Sequence, residues 1–128
     1  MKILLIDDHT SFCEGLIAAM ATIREDYQVD FDSSAELLPE ALLRKSGYDL
    51  FILDINMPGL GGVELLRYLK KNRNKTPVAV MSSVEDSATI NQLYEMGIIG
   101  FFPKSYGVYQ IIDAIEHCRD GEIHVPAN

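Results

Sequence analysis

The sequence predicts a three-layer α/β sandwich, in which a parallel sheet is covered by helices on both faces. Five short apolar runs typical of strands alternate with five segments of helical spacing along the 128 residues. Four of the runs are continuously apolar, as strands buried on both faces usually are. Because each crossover helix must pack back onto a parallel sheet, this alternation indicates one domain with a single sheet.

The strands are predicted from runs of aliphatic and aromatic residues. They read KILLI, QVDFD, DLFIL, PVAVM and IIGFF, at 2–6, 28–32, 49–53, 77–81 and 98–102. The second run differs from the others, because Val29 and Phe31 alternate with two aspartates. We expect this strand at an edge of the sheet, where one of its faces meets solvent.

The helices are predicted from apolar residues that recur at steps of three and four. The segments are 11–24, 34–45, 62–72, 86–96 and 107–119. Ser33 or Ser34 is a suitable N-cap for the second helix. Gly97 stands directly after the fourth, at the C′ position that favours glycine.

Composition narrows the classes of function. The net charge of −8 argues against direct nucleic-acid binding by this chain. Five basic residues do cluster at 67–75, and we interpret them as the solvated end of a helix, with a nucleic-acid patch as the alternative. No apolar stretch reaches the roughly 18–20 residues that span a bilayer. The start is too short for a signal peptide, so we expect a cytoplasmic protein.

Polar side chains follow four of the five predicted strands. Open α/β sheets bind ligands at the edge where the carboxyl ends of the strands meet. Since all strands of a parallel sheet end on that edge, we expect these residues to converge. They are Asp7 and Asp8 after the first strand, Asp54 after the third, Ser82 after the fourth and Lys104 after the fifth.

This set of residues predicts phosphoryl chemistry. Three gathered carboxylates would raise one another's pKa values, so a positive charge must balance them. Mg²⁺ suits oxygen ligands of this kind, and Lys104 supplies a second positive charge. With both cations to neutralise a phosphoryl group, Asp54 is a candidate nucleophile that forms an aspartyl phosphate. A single aspartate after a strand is more often a helix N-cap, so the joint arrangement carries the hypothesis.

Four motifs, LLIDDH, LFILDINMPGLGG, VAVMSS and GFFPKS, resemble the receiver domain of two-component response regulators in order and spacing. The resemblance implies a flavodoxin-like (βα)5 fold with strand order 2-1-3-4-5. It assigns 1–122 to the receiver and 123–128 to a tail or the start of a linker. DDH and GEIHVP resemble the LuxR/NarL-type subgroup, whose receivers precede a helix-turn-helix DNA-binding domain that would lie outside this chain.

The resemblance also implies a role for each site residue. Asp54 matches the phosphoacceptor, and Asp7 and Asp8 match the acidic pair that binds Mg²⁺ together with it. Asn56 would add its backbone carbonyl to the metal, and Asp8 would be the more direct ligand of the pair.

Three further positions match residues that respond to the phosphoryl group. Ser82 matches the hydroxyl residue that hydrogen-bonds it, and Lys104 the lysine that pairs with it. Phe101 falls on the aromatic switch position, where it would turn inward after phosphorylation. Ser105 stands where the family often has a proline joined by a cis bond.

The implied partner is a sensor histidine kinase that supplies the phosphoryl group, with a homodimer formed on phosphorylation as a further expectation. The domain would be a signalling module and not an enzyme, controlling transcription through the separate DNA-binding domain. A stand-alone receiver that docks on proteins is the main alternative. A haloacid-dehalogenase-type phosphatase is remote, because it needs an aspartate where Asn56 stands. A receiver acting only as a scaffold is the last alternative.

Five of the eleven aromatic residues fall in 84–109, which leaves two interpretations open. Aromatic side chains are enriched at protein interfaces, so this stretch is a candidate partner face. Packing at the second edge of the sheet explains them equally well. The residues are Tyr94, Phe101, Phe102, Tyr106 and Tyr109.

Overall fold

The fold was analysed in a computed structural model, which describes residues 1–32, 43–45, 47–54, 62–83 and 86–126. Most of the predicted second helix, at 34–45, lies outside these residues, as do its two candidate N-caps and Asn56.

Nine elements are present among the described residues, and each lies within two residues of its prediction. The strands are β1 (Lys2–Ile6), β2 (Gln28–Asp32), β3 (Leu50–Asp54), β4 (Val78–Ser82) and β5 (Gly100–Pro103). The helices are α1 (Thr10–Ile23), α2 (Gly62–Lys71), α3 (Ser87–Glu95) and α4 (Val108–Arg119). No helix in this described part of the chain is long and apolar enough to cross a membrane.

The strands form one parallel sheet in the order β2-β1-β3-β4-β5. The predicted fold and strand order are therefore confirmed, and β2 lies at an edge as its alternation indicated. Every residue of β3 and β4 is buried, whereas the residues of β2 are only half-buried or exposed.

Apolar side chains form two clusters, one on each face of the sheet. Successive residues of a strand point to opposite faces. Ile3 and Leu5 of β1 accordingly join the cluster beneath α1 and α4, while Leu4 and Ile6 join the one beneath α2 and α3. Burying a large aliphatic side chain contributes about 1.5–3 kcal/mol, so this double core fixes the positions of the strand ends.

Two glycines end helices with a left-handed backbone, which glycine adopts without steric cost. Gly97 has a φ of 94° and donates its N–H to the carbonyl of Tyr94 at 2.9 Å, which confirms the predicted C′ position. Gly121 has a φ of 83° and turns the chain back after α4.

His124 lies in the stretch that the sequence predicts to be a tail or the start of a linker. His124 pairs with Gly100 as an added bridge at the free edge of β5. The physical reason is side-chain contact, because Tyr94 and Tyr106 both hydrogen-bond to His124.

Candidate functional site

The register of the sheet brings the predicted acidic residues together at its carboxyl edge. Ile6 of β1 is paired with Leu53 of β3, so Asp7 and Asp54 each follow one residue beyond this pair. Asp54 is the last residue of its strand, 1% exposed, and Asp7 is 4% exposed. Two carboxylates are thus held almost out of water, where an unpaired charge is costly.

Lys104 supplies the balancing charge. Its Nζ lies 3.1 Å from Oδ2 of Asp54 and 3.0 Å from Oδ2 of Asp7. Its backbone N–H donates to the carbonyl of Ser82 at 2.9 Å, which ties the start of the β5–α4 turn to the end of β4. Ser82 is itself buried at the last position of β4.

The pKa values reflect this pairing. Burial alone would raise the pKa of Asp7, but the backbone N–H of His9 and the Lys104 ammonium together hold it below its ordinary value. Burial alone would lower the pKa of Lys104, yet its contacts with Asp7 and Asp54 raise it. Both groups are therefore charged at neutral pH.

His9 lies in this pocket although the sequence did not single it out as a site residue. Its Nδ1 is 2.8 Å from Oδ1 of Asp7, 3.3 Å from Oδ1 of Asp8 and 3.7 Å from Oδ2 of Asp54. The DDH motif could have indicated this position, because a residue that directly follows two pocket aspartates must lie near the site. Whether its ring turns inward depends on packing that the motif does not specify.

The pocket suits a divalent cation. Ligand atoms of Asp7, Asp8, His9 and Asp54 all lie within 4.8 Å of one another. Oδ1 of Asp8 is buried and has no hydrogen-bond partner among the described residues, so a cation would satisfy it. Carboxylate oxygens are the donors that Mg²⁺ prefers, and the residues therefore fit that ion.

An open groove of about 690 Å³ leads to the pocket from solvent. The residues around it include the exposed Ser83, whose small side chain leaves the entrance wide. A phosphodonor can therefore approach from this side. The groove is lined by Asp8, His9, Thr10, Ser11, Phe12, Ser83 and Lys104.

Phe101 does not face solvent. It is 1% exposed and belongs to the apolar cluster beneath α2 and α3, while the neighbouring Phe102 is buried in the opposite cluster. Tyr94 and Tyr106 are half-buried against the C-terminal segment, and Tyr109 is 69% exposed. Packing therefore accounts for four of the five aromatic residues in 84–109.

Comparisons with known proteins agree with this fold. Residues 3–116 match the response regulator receiver domain family. The chain is 32% identical over 129 residues to the glycerol metabolism activator of Pseudomonas putida, a match that covers 98% of the chain and 57% of that protein.

Two solved structures are similar in fold. The non-phosphorylated receiver domain of the stress response regulator RcsB from Escherichia coli has a TM-score of 0.84 at 22% identity, covering 99% of this chain and 98% of that one. A LuxR family DNA-binding response regulator from Silicibacter pomeroyi has a TM-score of 0.81 at 25% identity, with coverages of 98% and 97%.

The parallel sheet, with a lysine and three carboxylates at its carboxyl edge, is consistent with the family match. The chain belongs to the response regulator receiver domain family. It spans 57% of the length of the glycerol metabolism activator, so the activity of a whole regulator is a separate question.

Proposed function

We propose that this receiver accepts a phosphoryl group on Asp54 from a sensor histidine kinase, with Mg²⁺ as the cofactor. The observation that carries the proposal is the contact of Lys104 with both Asp54 and Asp7, beside the unpartnered oxygen of Asp8. This arrangement places the Asp54 carboxylate beside the Lys104 ammonium, with positive charge already in position for the incoming group.

The chemistry is a transfer of the phosphoryl group between two nucleophiles. An oxygen of Asp54 forms a bond to phosphorus while the bond from phosphorus to the histidine nitrogen of the kinase breaks. Asp7, Asp8 and Asp54 would hold Mg²⁺, which neutralises phosphoryl oxygens when bound, and Asn56 stays a predicted backbone ligand. Lys104 stabilises the charge that collects on the transferring group, and Ser82 is the proposed hydroxyl donor to it.

The output is a two-state switch, since the phosphoryl group adds about −1.5 to −2 charge to Asp54. Phe101 is already buried, so an inward turn of its ring is not available from the conformation described here. We therefore propose that Lys104 and Ser82 respond first to phosphorylation. The two residues are linked by a hydrogen bond from the backbone N–H of Lys104 to the carbonyl of Ser82. The switch role of Phe101 stays a prediction.

Control of transcription is the output we favour. One similar protein is named an activator and one similar structure a DNA-binding response regulator, and the chain covers little more than half of the former. With a net charge of −8, this domain would leave DNA contact to another domain and act through kinase binding and a homodimer. A stand-alone receiver is the competitor, and the length of the native reading frame decides between them. The cytoplasmic location stays a prediction.

Acetyl phosphate with Mg²⁺, followed by intact-mass spectrometry, tests the proposal. The wild type should gain one phosphoryl group, and Asp54→Ala should gain none. Asp113→Ala is the matched control, because Asp113 is an exposed aspartate of α4 that does not line the pocket or its groove. Undiminished labelling of the Asp54 variant would refute the assignment.

A further inference from the structure

Residues 122–126, here called the tail segment, lie along the free edge of β5. The N–H of His124 donates to the carbonyl of Ile99 at 2.8 Å, and His124 is bridged in parallel to Gly100. An unpaired strand edge is a template for another strand. In this chain the tail segment fills part of that template.

His124 is the anchor of the tail segment. Its Nε2 lies 2.9 Å from the hydroxyl of Tyr106, and its carbonyl accepts a hydrogen bond from the hydroxyl of Tyr94. Its ring meets the ring of Phe102 edge-on at 5.7 Å. Ile123 and Val125, on either side, are 65% and 64% exposed, so the side chains alternate as in a strand.

The backbone around the tail segment is shaped for this docking. A Cβ added at Gly100 would lie 2.8 Å from the ring of Phe102 and 3.3 Å from Cβ of His124, so only glycine allows the close approach. Gly121 turns the chain after α4, with Glu122 donating its N–H to the carbonyl of His117 at 2.9 Å. Both glycines direct the tail segment onto β5.

The docking site is connected to the phosphoacceptor through one short turn. Lys104 pairs with Asp54 through its side chain and with the carbonyl of Ser82 through its backbone. Two residues later, Tyr106 donates its N–H to the carbonyl of Pro103 at 3.0 Å and reaches His124 with its hydroxyl. Lys104, which contacts Asp54, and Tyr106, which contacts the tail segment, therefore lie two residues apart in the same turn.

We propose that the tail segment is an internal ligand of the β5 edge and that phosphorylation of Asp54 weakens its docking. The proposal rests on the proposed function, because it names Asp54 as the acceptor. The docked state coexists with the Asp54–Lys104 contact, and a phosphoryl group would draw Lys104 to new oxygens. The signal would thus pass to the chain that follows α4 without passing through the ring of Phe101.

By linkage, the coupling between the tail segment and Asp54 is reciprocal. Loosening the tail segment should favour the arrangement in which Lys104 contacts the phosphoryl group. A variant that cannot anchor His124 is therefore expected to accept the phosphoryl group at least as readily as the wild type. This is the opposite of what general damage to the fold would produce.

Amide hydrogen exchange followed by NMR, with intact mass measured in parallel, tests the proposal. We expect exchange of the His124 amide to accelerate about tenfold in protein that mass spectrometry shows to be phosphorylated, since edge contacts open locally. Tyr106→Phe should accelerate it about fivefold without any phosphodonor, through loss of one hydrogen bond. Tyr109→Phe, the same change on the exposed Tyr109, should leave it unchanged.

A second arm separates this proposal from the proposed function. Lys104→Met removes the contact with Asp54 and should accelerate exchange at His124 more than exchange of the buried amides of β1, whether or not Asp54 can be phosphorylated. If the wild type takes up no phosphoryl group, the proposed function fails and this arm still decides the coupling. Unchanged protection of His124 in phosphorylated protein, or in both Tyr106→Phe and Lys104→Met, would overturn the proposal.

Discussion

Two clusters of charge lie in different parts of the molecule, and their geometry is nearly the same. The site cluster comprises Asp7, Asp54 and Lys104, with contacts of 3.0 and 3.1 Å. The surface cluster joins the turn after α1 to α4 through contacts of 3.2 and 3.3 Å, and two of its residues lie 2.7 Å apart within that turn. The surface cluster consists of Arg24, Asp26, Glu116 and Arg119.

The two clusters differ in burial, and this difference decides their roles. Side chains of the site cluster are 1–17% exposed, whereas those of the surface cluster are 27–47% exposed. Water and salt screen the exposed contacts, so they stabilise little. Removing one partner from a buried cluster leaves a charge without a counter-charge, which lowers the free energy of unfolding. Losing one partner is therefore expected to lower the free energy of unfolding more in the site cluster than in the surface cluster.

The largest effect is expected from Lys104→Met, which keeps the aliphatic stem and removes the charge. Two buried carboxylates would lose their counter-charge, so the free energy of unfolding should fall by about 3 kcal/mol. Urea denaturation at neutral pH measures this value. Arg119→Met is the matched control on the surface cluster and should lower the free energy of unfolding much less. Equal losses in the two variants would contradict the comparison.

Mg²⁺ is expected to have the second-largest effect. An ion bound only by the folded state raises the free energy of unfolding by about 2.7 kcal/mol at a hundred times its dissociation constant. Thermal unfolding with and without Mg²⁺ should show this stabilisation in the wild type and in the exposed control Asp113→Asn. Asp8→Asn should lose most of it, because the unpartnered oxygen of Asp8 is then neutral. Full stabilisation of Asp8→Asn would argue against Asp8 as a ligand.

The pH dependence of stability should come from the site cluster at both ends of the range. The pKa of Asp7 in the folded state is below its ordinary value of 3.8. Asp7 therefore contributes to the free energy of unfolding above pH 3.8, and this contribution is lost as the pH falls through the folded-state pKa. The pKa of Lys104 in the folded state is above its ordinary value of 10.5. Its contribution to the free energy of unfolding is therefore lost as the pH rises through the folded-state pKa. Urea titrations across pH should show both losses in the wild type, and Lys104→Met should show a smaller alkaline loss, because tyrosines such as Tyr27 and Tyr94 also have pKa values raised by burial.

His124 should show a smaller pH effect, confined to the tail segment. Burial, with His117 nearby, lowers its pKa below the ordinary 6.5, so protonation opposes docking and protection is lost as pH falls below that value. The groups that face it are His117 and Cys118 from α4, Tyr94 from α3 and Tyr106.

Exchange of the His124 amide, corrected for its intrinsic rate, should therefore accelerate as the pH falls from about 7.5 to about 5.5. His124→Gln is the matched control, since glutamine keeps a polar side chain that does not titrate in this range. The same pH response in that variant would exclude His124 as the titrating group.

The smallest effect is expected from Asp26→Asn in the surface cluster. Contacts with Arg24 lower the pKa of Asp26, but both side chains are exposed enough for solvent to screen the pair. Urea denaturation should detect little change, and added salt should narrow the gap from the wild type further. A loss as large as that of Lys104→Met would mean that distance, and not burial, governs these contacts.

The fold and the core of the candidate site were predictable because both follow from local patterns. Continuously apolar runs fixed the strands, and a parallel sheet necessarily gathers the residues that follow them, here Asp7, Asp54, Ser82 and Lys104. Gly97 was predictable for a similar reason, since glycine directly after a helical pattern favours a left-handed C′ position.

Three features were not predictable, because each depends on contacts between distant segments. His9 turns into the pocket only because three aspartates and Lys104 surround its ring. His124 docks because two tyrosines from other elements reach it. Phe101 is buried in one of the conformations that its side chain can adopt, and the spacing of residues in the sequence does not determine which one.

The central claim is that Asp54, held against Lys104 at the edge of the sheet, receives the phosphoryl group. Borohydride reduction converts an aspartyl phosphate to homoserine, so peptide mass spectrometry after labelling with acetyl phosphate and Mg²⁺ locates the modified residue. We predict homoserine at position 54 in the wild type. Homoserine at Asp7 or Asp8, with position 54 unmodified, would contradict the account.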